Sequence, residues 1–175
     1  MSHRKGITLI ELLVYIGVGT ILMLAMSAFA FSTLATHNQA DAYTSLTQES
    51  LSTLERMRTL VTRSYKLDPS SQSLSDLTKS GARLVLRNRD SASDPIIFFV
   101  TDNVLYVQKG SGTAMPMHGK EFQVAQLQVV PLSSSDGRST NLQMTFSLAM
   151  PVTGIGATTA RTTYTTSFEC ADYGP

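Results

Sequence analysis

The chain reads as an α+β protein, one long N-terminal helix followed by a run of antiparallel strands. Three observations predict it. From Leu12 to Ala35 the sequence holds 24 residues without a charge. Downstream, apolar residues recur at three- and four-residue steps, and no proline occurs before Pro69. Beyond Arg83 the period drops to two, the spacing of strands that bury one face.

The uncharged run would cover about 36 Å as a helix, enough for a bilayer core of roughly 30 Å with some tilt. Gly17, Gly19, Thr20, Ser27, Ser32 and Thr33 lie within it, and small residues suit a helix that packs closely against other helices. Its start is unusual. His3, Arg4 and Lys5 come first, then Gly6, four uncharged residues and Glu11. A carboxylate in a spanning helix opposes partitioning by about 2.5–3.5 kcal/mol at mid-bilayer and by less near an end. Glu11 is therefore a candidate functional residue.

The stretch Lys5-Gly6-Ile7-Thr8-Leu9-Ile10-Glu11-Leu12 resembles the processing motif of type IV pilins and pseudopilins. The resemblance implies cleavage by a membrane prepilin peptidase between Gly6 and Ile7, with N-methylation of Ile7. It implies a leader over residues 1–6 whose charges are Arg4 and Lys5, and a pairing of Glu11 with the amino terminus of an adjacent subunit. The first mature residue of that family is usually Phe; here it is Ile7. Other pilin or pseudopilin subunits, the membrane platform protein of the assembly machine and the cytoplasmic membrane are the implied partners. An ordinary secretory signal, with Ala28-Phe29-Ala30 as its small-x-small site, or an uncleaved signal anchor reads the same run more simply. The position of Glu11 and the length of the run favour the first reading. No cysteine lies near the segment, which excludes a lipoprotein.

Length and charge bound the rest. At 175 residues the chain is one domain plus an anchor. The net charge is +1; without Arg4 and Lys5 it becomes −1, before the new amine is counted. Near-neutrality argues against a nucleic-acid binder working through a broad basic face, leaving only a local basic patch open. Arg4 and Lys5 precede the run and no Lys or Arg follows until Arg56. The positive-inside tendency thus keeps the N-terminus cytoplasmic and exports the remainder. The one cysteine, Cys170, permits no intramolecular disulfide, so the fold rests on packing.

The boundaries follow. Residues 7–36 form a transmembrane or filament-core helix, and residues 37–67 continue it as an amphipathic rod of roughly 90 Å in all. Leu46, Ser50, Leu54, Met57, Val61 and Tyr65 make its stripe, widened by Leu51 and Leu60. Asp68-Pro69 stops it, because the residue before proline is pushed out of helical space. Residues 68–175 form the β region. Pro69 to Gly81 is a Ser-rich loop with a turn at Ser75–Thr78. Strands follow at Arg83–Asn88, Ile96–Thr101 and Val104–Lys109, the last two joined by a tight Asp102-Asn103 hairpin. Gly110 to Gly119 reads as a mobile loop. Phe122–Val130 is a strand whose parity slips, which a bulge near Ala125-Gln126 reconciles. Ser133–Thr140 is a polar turn around Asp136-Gly137. Leu142, Met144, Phe146, Leu148 and Met150 alternate cleanly, and after the Gly154–Gly156 loop Ala160–Phe168 is the last strand. One sheet, covered by the helix on one face and wet on the other, accommodates the alternation and matches the shape that the resemblance implies.

Catalytic chemistry is hard to assemble from these residues. His3, His37 and His118 fall in the leader, at the membrane exit and in a loop. No His-x-x-x-His or Cys-x-x-Cys spacing occurs, so no metal site and no cofactor are expected. Gly-x-Ser-x-Gly is absent, and Cys170 reads as a small buried apolar residue. The Gly110–Gly119 segment has no Walker-type lysine. Asp90, Asp94 and Asp102 lack the oxygen-ligand spacing of a calcium loop and read as solvated loop acids. Phe98, Phe99, Tyr106, Phe146 and Tyr164 could stack single-stranded bases, but core packing and cross-strand pairing explain them more simply.

Overall fold

A computed structural model describes residues 8–133, 139–152 and 158–171. Helix α1 runs unbroken from Leu9 to Thr62, about 81 Å at 1.5 Å per residue. Among the described residues eight strands follow: β1 (Ser64–Leu67), β2 (Leu84–Asn88), β3 (Ile96–Thr101), β4 (Val104–Lys109), β5 (Met115–Pro116), β6 (Gln123–Ser133), β7 (Ser139–Pro151) and β8 (Thr159–Ala171). The expected order of a long helix and then antiparallel strands is what the chain adopts.

The end of the helix differs from the sequence reading. α1 stops five residues before Leu67. Arg63 caps it, its N–H donating to the Val61 carbonyl, and Tyr65 leaves the helical stripe to enter β1. Proline restricts only the residue before it, so Asp68-Pro69 set a latest possible end. The actual end lies where residues 64–67 pair with β2. Asp68 is tied to β2 as well, donating its N–H to the Val85 carbonyl.

The single sheet is also corrected. Strands β1 to β5 form one antiparallel sheet in chain order, and β6, β7 and β8 form a second. Alternation reports which face of a strand is buried and says nothing about which strands pair. Both sheets bury apolar residues in one common core with the second half of α1. Leu84, Val85 and Leu86 are all buried, so β2 is covered on both faces, which short alternating patterns did not indicate. In β7, Leu142, Met144, Phe146 and Leu148 are fully inside, in the parity the sequence predicts.

Several local expectations hold. Asp102 and Asn103 have φ of 52° and 61°, the two positive values that a tight two-residue hairpin requires. The β6–β7 register shifts between Val124 and Gln126, where the parity slip placed a bulge. On α1, Leu46, Ser50, Leu54, Met57 and Val61 are buried, but Leu51 is 51% exposed and does not widen the stripe. Ala42 and Thr53 join it instead. The Asp136-Gly137 turn and the Gly154–Gly156 loop lie outside the described residues.

The segment after Gly110 is not the mobile loop its glycines suggest. It contains β5, and Met117 and His118 are buried. The Leu105 N–H donates to His118 Nε2 at 3.1 Å, which leaves Nδ1 to carry the hydrogen and donate to the Gly119 carbonyl at 2.9 Å. The neutral ring thereby ties the segment to β4. Thr53 and Arg56 of α1 donate to the Met117 carbonyl, and Glu49 accepts from the Gly119 N–H. Three residues of α1 thus hold this stretch in place.

The Asp94 carboxylate is likewise not a free loop acid. It accepts from Arg87 and from the Asn88 N–H, while Asp68 takes the other side of the same guanidinium. Hydrogen bonds from the Ser70 hydroxyl and amide, then from Arg87, hold the Asp68 carboxyl down at about 2. Cys170 is buried as expected, its thiol directed at the Val61 carbonyl. Burial, reinforced by Glu169, pushes that thiol up to about 11.

Candidate functional site: the uncovered half of the helix

The site is a length of helix on which none of the other described elements packs. From Leu9 to Leu34 the large apolar side chains of α1 are exposed, Leu9 at 83% and Phe29 at 75%. Among the described residues nothing outside the local helix comes within 4 Å of a Cβ placed on Gly17 or Gly19. An apolar helix clothed by no protein needs another apolar phase, either lipid or other helices. α1 is long and apolar enough to cross a membrane in this half.

Four of its hydroxyls are bonded within the helix itself. Thr20 donates to the Gly17 carbonyl, Ser27 to Met23, Thr33 to Phe29 and Thr36 to Ser32. Each of these four hydroxyls bonds to its own helix, which lowers the number of unmet hydrogen-bonding groups turned to an apolar surrounding.

Glu11 sits in the first turn. Thr8 is the N-cap, with φ −75° and ψ 150°, and its hydroxyl accepts from the Glu11 N–H at 3.4 Å. Thr8-Leu9-Ile10-Glu11 has the spacing of a capping box, in which a hydroxyl and a carboxylate three residues on serve the unpaired amides of a helix start. That spacing is legible in the sequence alone. It supplies a local role for Glu11, since a negative charge is also favoured by the dipole at this end. It does not supply an ionic partner: among the described residues no cation pairs with Glu11. Arg4, Lys5, Gly6 and Ile7 lie outside the described residues.

Elsewhere the chemistry is thin. Among the described residues no three His, Cys, Asp or Glu side chains converge as a metal ion would need. His37 pairs with Asp41 on the helix surface at 2.9 Å, and His118 is occupied on both ring nitrogens. Phe98 and Phe146 are core residues, whereas Phe99 and Tyr106 stack across β3 and β4 with ring centroids 5.6 Å apart.

Comparison with known proteins bears on the same end of the chain. Residues 1–27 match the family model described as the prokaryotic N-terminal methylation motif, the signature of type IV pilins and pseudopilins. No curated protein and no solved structure matches the chain.

Proposed function

We propose, from the premise that this is a type IV pilin-like subunit, that it is a minor pilin or pseudopilin of a type IV filament system. It is stored in the cytoplasmic membrane and assembled through the first half of α1, with a structural and not a catalytic role. Prepilin peptidase cuts between Gly6 and Ile7 and the Ile7 amine is methylated; Arg4 and Lys5 of the leader hold the N-terminus on the cytoplasmic side. The globular region is exported, and the membrane platform protein and neighbouring subunits draw the chain into the filament. The observation that carries this reading is the motif ending in Glu11 at the head of a helix whose apolar half is uncovered.

The physical logic lies in the two charges. In lipid, the Ile7 amine and the Glu11 carboxylate of a lone subunit each lack an intersubunit partner, and an unpaired charge there is unfavourable. In a bundle of parallel helices the amine of one subunit can meet the carboxylate of the next. Assembly then relieves a desolvation penalty and sets the axial register. Minor status rests on three features: no proline interrupts α1, no cysteine pair exists, and Leu54-Glu55-Arg56-Met57-Arg58 puts arginines on the helix beyond the membrane.

The intact mass of the protein from cells tests the processing. Loss of Met1–Gly6 plus one methyl group is the expected result, and a retained leader in a working protein would overturn the reading. Glu11→Gln keeps the shape and removes the charge. Co-assembly with neighbouring subunits should fall at least tenfold, and wild-type incorporation would remove the pairing from the account.

A further inference from the structure

A groove runs between the last turns of α1 and the β4–β5 edge of the first sheet. It continues past Leu60, Arg63 and Lys109 towards the loop before β3, as two adjoining cavities of about 360 and 310 Å³. Its floor is apolar, with Leu60, Met115 and Pro116, and its walls carry Arg56, Arg63 and Lys109. Arg89 also lines it, and Asp90 is its one acid. Asp90 is engaged in capping the 3-10 turn at Ser91–Ser93. Among the described residues no carboxylate pairs with Arg56, Arg63 or Lys109.

The opposite charge gathers at the other end of the same sheet. Glu49 of α1 accepts from the Gly119 N–H. Glu121 folds over Gly119, close enough to meet a Cβ added there. The Val124 N–H donates to the Asn103 carbonyl at 2.7 Å, which brings the Asp102-Asn103 hairpin tip to this end. Glu49 and Glu121 thus both reach Gly119, Asp102 lies in the hairpin joined to β6 through Val124, and Lys120 is the one Lys or Arg between Gly119 and Val124. Along α1 this acidic end lies at Glu49 and the basic groove reaches Arg63, about 21 Å farther from the membrane half.

We propose that the groove receives the acidic hairpin end of a second copy of this chain, stacked head to tail along the helix axis. The proposal rests on the filament reading, since only parallel subunits displaced along a common axis bring the top of one against the bottom of the next. A contact of this kind is heterologous: it joins two different surfaces of neighbouring subunits. Membrane lipid is a poor occupant, because the groove begins about 30 Å along α1 beyond Ala35. Opposed charge patches select orientation and suppress wrong registers, while Leu60 and Met115 provide the apolar contact.

The test uses the full chain in cells with its assembly machinery. Glu121→Cys and Lys109→Cys are expressed separately and together under a mild oxidant; Cys170 stays in place because it is buried. A disulfide-linked dimer is expected only when both variants are present. Lys109→Glu should cut incorporation into filaments at least tenfold. Adding Glu121→Lys with Asp102→Asn to the same chain should restore it, and that rescue also shows that the head has folded. Filaments that form without the mixed cross-link overturn the groove contact and leave the proposed function standing. Loss through Lys109→Glu without rescue overturns the second copy in favour of a different anionic partner. Failure of the unmodified chain to enter any filament overturns the proposed function, and this contact with it.

Discussion

The two halves of α1 share one backbone and one unbroken ladder of hydrogen bonds, yet they solve different problems. In the second half, Leu46, Met57 and Val61 are completely enclosed by the chain's own sheets. In the first, Leu12, Leu22 and Phe29 are as apolar and are left bare. The contrast teaches that an apolar stripe and an apolar cylinder are different instructions. A stripe with charges on its back faces one neighbour within the same chain; a helix apolar on all sides has no back and needs a surrounding phase. The join is gradual, passing through His37 and Asp41, which pair on the exposed surface.

The sharpest way to separate the halves is to damage one at a time. Phe146→Ala, at a fully buried site, should destabilise the globular region by about 3–5 kcal/mol and leave the fraction of protein in membranes unchanged. Thermal unfolding and membrane fractionation measure the two. Leu22→Arg should do the reverse: a cost of about 2.5–3.5 kcal/mol at the centre of a spanning helix lowers membrane retention at least tenfold, with the melting temperature of the head intact. If Leu22→Arg instead melts the head, the two halves are not independent.

A smaller effect is expected at the fastening between α1 and the Gly110–Gly119 segment. His118→Phe keeps an aromatic ring and leaves the Leu105 N–H and the Gly119 carbonyl without their partner, which should cost about 1–3 kcal/mol by denaturant unfolding. Acid titrates the other tether. The Asp68 carboxyl sits at about 2 in the folded protein against an ordinary 3.8. Its contribution is therefore fully present above about pH 4 and fades as the pH falls towards 2. The melting temperature should drop across that window, and Asp68→Asn should flatten the drop. Least of all, Leu51→Ala should move stability by no more than about 0.5 kcal/mol, because its side chain is half exposed and lies off the stripe.

Much of this architecture was legible because the informative residues act locally. The Asp102-Asn103 turn, the β6 bulge and the β7 alternation each depend on a few adjacent side chains. What escaped depends on contacts between distant ones. The split into two sheets is a matter of pairing, which period-two patterns do not encode. The order around His118 comes from Leu105, Glu49, Thr53 and Arg56 acting on a Gly-rich stretch that looks loose alone. Asp94 read as a solvated acid because its partner, Arg87, meets it only after β2 and β3 have paired. At the candidate site the balance was reversed. Glu11 and the uncharged run are plain in the sequence, and Thr8, three positions before Glu11, has the spacing of a capping box.

The absence of any proline or break between Leu9 and Thr62 makes α1 a keyed shaft. Each residue advances the chain about 1.5 Å and turns it about 100°, so the compass bearing of the globular head is inherited from the way the buried end is seated. One residue added near Ala40 would swing the whole head more than a quarter turn while leaving every side chain within it undisturbed.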